Sequence, residues 1–166
     1  MLGERARERI GSTKSTSFAM DLAQWLKIME TYEGGGHAYH ATMPTDSLRR
    51  LRDLMVETET FGFEKLRERQ IELGRRVRAL LEQRGFPSVA AEGFKAPCVV
   101  VSYTKDANIV ANFGKAGAQV AAGVPLQCDE PADYRAFRIG LFGLDKLGDI
   151  DGTVERLTKA LTQATG

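Results

Sequence analysis

A single arginine stands in the apolar stretch Ala136-Phe137-Arg138-Ile139-Gly140-Leu141-Phe142-Gly143. A strand alternates its side chains, so Phe137, Ile139 and Leu141 fall on one face and Arg138, Gly140 and Phe142 on the other. A guanidinium is a planar fork of donors that matches a carboxylate through two parallel hydrogen bonds. Gly140 beside it leaves room for a ligand or a backbone to approach. An arginine on a solvated sheet face or in a salt bridge is the other reading, since most arginines are of that kind.

A second group lies in His37-Ala38-Tyr39-His40-Ala41-Thr42-Met43-Pro44-Thr45. Leu48, Leu51, Leu54 and Met55 follow at helical spacing, which makes Thr42 a candidate N-cap with Pro44 in the first turn. A helix start offers free N–H groups and the positive end of the dipole, so it suits an anion. The Thr42 and Tyr39 hydroxyls would add donors there; an ordinary capped helix with a packed tyrosine is the alternative. His37 and His40 have no third ligand candidate nearby, and zinc needs at least three protein ligands, so loop or packing roles are expected. Lys14 in Gly11-Ser12-Thr13-Lys14-Ser15-Thr16-Ser17 lacks the GxxxxGK[ST] pattern of a phosphate loop. Cys98 and Cys128 show neither CxxC nor zinc spacing.

The elements that would hold these groups can be read in order. Residues 1–16 are polar and basic and read as a connector. Residues 18–31 read as a helix with Leu22, Trp25, Leu26 and Met29 on one face. Gly34-Gly35-Gly36 breaks it. The strongest helix covers 61–84, with Phe63, Leu66, Leu73, Val77 and Leu80 inward. Its outer face carries Arg67, Glu68, Arg69, Glu72, Arg75, Arg76 and Arg78 and reads as solvated. Gly85 ends it. Residues 97–103 are a β-branched run, hence a central strand. A short helix over 106–117 and a strand over 119–122 follow, then a polar loop, then the Arg138 strand. A loop through Leu144 and Gly148 leads to a last helix, capped by Asp149, with Ile150, Val154, Leu157 and Leu161 on one face. This order implies an α+β fold: a small sheet of three to four mainly antiparallel strands with helices on one face, preceded by a helical segment.

The 166 residues suit one domain with a core, or slightly more. A charged fraction of 27% and a net charge of +1 give no electrostatic case for nucleic acid or an anionic membrane. No apolar run approaches the ~20 residues of a membrane span. The start, Met1-Leu2-Gly3-Glu4-Arg5, lacks a signal-peptide core. A reducing, cytoplasmic setting is expected.

Three stretches together resemble a known family. Ser17-Phe18-Ala19-Met20-Asp21-Leu22, Tyr39-His40-Ala41-Thr42-Met43-Pro44 (similar to Tyr-His-x-Thr-x-Pro) and Phe137-Arg138-Ile139-Gly140-Leu141-Phe142-Gly143 match segments in the C-terminal third of class V, fold type I, pyridoxal-phosphate aminotransferases. The alanine–glyoxylate and serine–pyruvate group is the most similar. The resemblance runs from about residue 5 to the end, and it rests on the order and spacing of the three segments.

The resemblance implies roles for particular residues. Tyr39 and Thr42 would bind the cofactor phosphate of the partner subunit in a homodimer, and Arg138 would hold the substrate α-carboxylate. Residues 1–60 would be the tail of the large cofactor-binding domain with a linking helix, and 61–166 the small C-terminal domain. The reaction implied moves an amino group between a small amino acid and a 2-oxo acid such as glyoxylate or pyruvate. The family's cofactor-binding lysine, its aspartate on the pyridine nitrogen and its ring-stacking aromatic belong upstream of these segments. No catalytic residue is therefore expected in this chain, which alone would be inactive. Lys14 does not fill the lysine's place: it stands 25 residues before Tyr39, about half the family's separation, in flanks that match a later segment. A non-catalytic α+β module binding a small carboxylate or a partner chain is the alternative reading.

Overall fold

The computed structural model describes residues 2–166. The chain divides into two compact units, Met1–Asp53 and Leu54–Gly166.

The first unit is helical. Helix α1 spans Glu4–Gly11 and α2 spans Leu22–Glu33; α3, Thr45–Phe61, begins in this unit and ends in the next. Helix α1 replaces the connector expected over residues 1–16. Its apolar residues, Ala6 and Ile10, are too few to signal a face, but Glu4 in the first turn and Arg9 in the last complement the helix dipole. Asp21 caps α2 by accepting from the Gln24 N–H at 3.1 Å. The expected inner face of α2 is only partly inside: Trp25 and Leu26 are half-buried, Leu22 and Met29 are exposed, and Ile28 is the buried residue of the helix.

The second unit holds the sheet. Strands β1 (Val99–Tyr103), β2 (Ala121–Ala122) and β3 (Ala136–Gly140) are antiparallel in the order β1-β3-β2. Helices α4 (Phe63–Gln83), α5 (Ile109–Lys115) and α7 (Ile150–Thr165) pack on one face, and a short helix, α6 (Leu144–Gly148), forms where a loop was expected. Leu73, Val77 and Leu81 of α4 meet Val100 of β1, Phe113 of α5, Phe137 and Ile139 of β3, and Leu161 of α7. The Phe137 ring lies 5.4 Å from Phe86, edge to face, and 5.7 Å from Phe113.

Local signals fix the helix ends. Past the Arg84 cap of α4, Gly85 takes a φ of 82°, where only glycine is unstrained; its N–H donates to Glu82 O at 3.1 Å and that of Phe86 to Leu81 O at 2.9 Å. Asp149 caps α7, accepting from the Gly152 N–H at 2.9 Å. Two readings of α4 need correction. Phe63, at the first residue of the helix, is exposed, whereas Arg78, counted on the solvated face, is 6% exposed.

The loop into β3 is organised by a carboxylate. The N–H groups of Cys128 (2.9 Å), Gln127 (3.0 Å) and Leu126 all donate to Glu130, while Gln127 and Asp129 take positive φ. These bonds, that of Cys128 foremost, hold the Glu130 carboxyl down at about 2. A depressed carboxylate pKa stabilises the folded loop above the unfolded value of about 4.5 and ceases to as pH falls through about 2. Glu130→Gln is therefore expected to reproduce at neutral pH the loop opening that acid causes. Faster amide exchange at Gln127 and Cys128 would report it; unchanged exchange would show that the loop holds its shape without the carboxylate.

Candidate functional site

Arg138 lies at the middle of the central strand, opposite Val101 of β1 and Ala121 of β2. Phe137 and Ile139 turn into the core, which forces the Arg138 side chain onto the other face of the sheet, where it is exposed with Gly140. The alternation read from the sequence thus holds through Leu141, buried, and Phe142, 59% exposed.

On that open face a hollow of about 310 Å³ is lined by Val99, Gln119, Val120, Ala121, Arg138, Gly140 and Phe142. Arg138 is the one charged group in this lining. No hydrogen bond or ion pair engages its guanidinium among the described residues, which removes the salt-bridge reading within this chain. A cation with free donors above an apolar floor is suited to one carboxylate on a small body. A Cβ on Gly140 would sit 3.5 Å from the Phe142 ring, ordinary van der Waals contact, so the ring packs over the strand beside the fork with room for no more than a methyl at that position. Phe142 and Gly140 were legible from alternation. Gln119 and Val120 were not, because they precede a strand too short to carry a pattern.

Tyr39 and Thr42 belong to the first unit and meet: their hydroxyl oxygens are 3.1 Å apart, and both residues are exposed. Thr42 is not the N-cap. Helix α3 begins at Thr45, and its first bond runs from the Leu48 N–H to Pro44 O at 3.0 Å, which puts Pro44 at the cap position. The proline ring restricts Met43 to extended backbone, and this holds Thr42 out of the helix. Two adjacent hydroxyls just before a helix start still form a patch of donors for an anion, with Asp46 in the first turn as the one opposing charge.

The histidines have separate partners. His37 Nδ1 is 3.0 Å from the Tyr32 hydroxyl. His40 Nε2 is 3.1 Å from Phe18 O, and its ring packs 4.4 Å from Phe18 and 5.1 Å from Trp25. No group of three or more His, Cys, Asp or Glu side chains is placed to hold a metal among the described residues. Lys14 is exposed beyond α1. Cys98, half-buried, and Cys128, exposed, are unpaired thiols. No described helix is long and apolar enough to cross a membrane.

No family model and no curated protein matches the sequence. Solved structures do match. An alanine–glyoxylate aminotransferase from Nostoc sp. superposes with a TM-score of 0.79 at 17% identity, over 100% of this chain and 43% of that one. An aspartate aminotransferase of subgroup IV from Thermus thermophilus superposes with a TM-score of 0.57 at 18% identity, over 98% of this chain and 43% of that one. The chain has the fold of under half of an aminotransferase chain, which agrees with the sequence resemblance to the C-terminal part of such enzymes.

Proposed function

We propose that this chain is the C-terminal part of a pyridoxal-phosphate-dependent aminotransferase of class V that acts as a homodimer on a small amino acid and a 2-oxo acid such as glyoxylate or pyruvate. The observation that carries the reading is the unengaged Arg138 guanidinium on the central strand, set in a hollow with no other charge. Arg138 holds the α-carboxylate that donor and acceptor share. The apolar floor of Val99, Val120 and Ala121 favours a substrate without a second carboxylate, because a second anion there would find no cation. Tyr39 and Thr42 donate hydroxyl bonds to the cofactor phosphate; their oxygens stand 3.1 Å apart, close enough to serve one anion once the bond between them is exchanged for bonds to the phosphate. Pyridoxal phosphate supplies the electron sink that amino-group transfer requires.

The test has two arms. In the enzyme completed by its large domain, each lost hydroxyl donor should cost about 1–3 kcal/mol of cofactor binding. Tyr39→Phe with Thr42→Ala should therefore raise the cofactor Kd by at least about thirtyfold, and an unchanged Kd would exclude the phosphate role. The 166-residue chain by itself should not transaminate alanine with glyoxylate. Turnover, together with borohydride fixation of the cofactor on one mapped lysine, would show that a catalytic lysine is present after all.

A further inference from the structure

The outer edge of β1 is paired unevenly. Val101 O accepts from the Val89 N–H at 2.9 Å, and the Tyr103 N–H donates to Pro87 O at 2.9 Å. At Val99 a side chain takes the strand's place: Arg78 Nη2 donates to Val99 O at 3.1 Å and to Ala96 O at 2.5 Å. Four residues back on α4, a Cβ on Gly74 would lie 2.5 Å from Pro97 O and 2.8 Å from Pro97 Cα, so helix and segment are in direct backbone contact. Four residues further back, Gln70 Nε2 donates to Pro97 O at 3.0 Å. Spacing of four places Gln70, Gly74 and Arg78 on one helix face. This face grips 96–99, and the gripped segment leads to the substrate side of the sheet. Cys98 O accepts from the Leu141 N–H at 2.9 Å, Val99 lies opposite Gly140, and Val99 itself lines the Arg138 hollow.

We propose that the Gln70–Gly74–Arg78 face of α4 is a positioning device for the Arg138 hollow, acting through 96–99 to set where Val99, Gly140 and Leu141 stand relative to the guanidinium. The inference rests on the carboxylate role proposed for Arg138. It also gives the part-buried Arg78 bonds a role: the Ala96 and Val99 carbonyls face an edge where no strand supplies a donor, and the guanidinium supplies one to both. None of the three residues touches the ligand, so they act through the segment they hold.

The ¹⁵N-labelled chain, titrated with pyruvate, tests this by the shifts of Arg138 Nε–H and the Gly140 amide and by exchange of the Leu141 amide. Gly74→Ala pushes on Pro97 without altering charge. It should weaken pyruvate binding and accelerate Leu141 exchange, each by roughly tenfold, since small displacements of a binding group have effects of that order or larger. Gln70→Met, which removes one bond and disturbs folding least, should shift both in the same direction by a smaller factor. Val77→Ala, a core change on the same helix, supplies the comparison for a general loss of stability: it should speed exchange throughout the unit while leaving pyruvate affinity unchanged. Gly74→Ala and Gln70→Met behaving like Val77→Ala in both measurements would overturn the proposal. If the parent chain shows no pyruvate response at Arg138, the hollow does not hold a carboxylate without the large domain and the Arg138 role is read from the completed enzyme, while local exchange at Leu141 beyond that of Val77→Ala decides whether the grip reaches the β1–β3 edge, its absence overturning the proposal.

Discussion

Phe137→Ala is expected to destabilise the second unit by about 3–5 kcal/mol, the usual cost of truncating a buried phenylalanine. Phe137 is fully buried on the central strand and touches Phe86 on one side and Phe113 on the other. Phe113 is itself fully buried and Phe86 meets the Phe137 ring edge to face, so truncation removes ring contacts on both sides of the core. Against a total stability of about 5–15 kcal/mol for a domain, such a loss leaves a sizeable unfolded fraction. The urea midpoint measures it directly. A loss under about 1 kcal/mol would mean that the site relaxes freely, contrary to the packing described.

Its neighbour should give the opposite phenotype. Arg138→Leu is expected to leave stability within about 0.5 kcal/mol, because the side chain is exposed and makes no bond within the chain. Carboxylate binding should instead fall by about tenfold to a hundredfold, the equivalent of losing charge-assisted bonds worth about 1.5–3 kcal/mol. Arg138→Lys should recover part of the loss, since an ammonium keeps the charge but not the planar fork. Isothermal titration with pyruvate and with alanine in the completed enzyme distinguishes the cases. Parent-like affinity in Arg138→Leu would leave Arg138 without a ligand role. The two substitutions, one residue apart, thus separate folding from recognition by the two-residue period of a strand.

That separation was legible in the sequence, because it depends on the covalent geometry of neighbouring residues. Phe137, Ile139 and Leu141 declare an inner face wherever the strand lies, and Arg138 follows by alternation. The Asp149 cap and the Gly85 stop were readable for the same reason, since their partners lie three to five residues away along the chain. The α+β order of elements also followed from local periods, 3.6 for α4 and α7 and 2 for β3.

What local pattern cannot state is which surface arrives to cover a face. Arg78 has the charge and spacing of a solvated residue. It is buried because 96–99, eighteen and more residues onward, brings two carbonyls that only its guanidinium reaches. Leu48, Leu51, Leu54 and Met55 have the spacing of a core stripe and are exposed, because periodicity marks a side of α3 without providing anything to pack on it. Thr42 has the chemistry of a cap but stands two residues too early, since Pro44 sets where the backbone first turns helical. The chain's own residues therefore determined which groups could bind an anion. Tertiary packing decided that Arg138 stays unengaged in a hollow and that the Gln70–Gly74–Arg78 face of α4 grips the strand edge beside the site, because each depends on contacts between segments that local sequence does not encode.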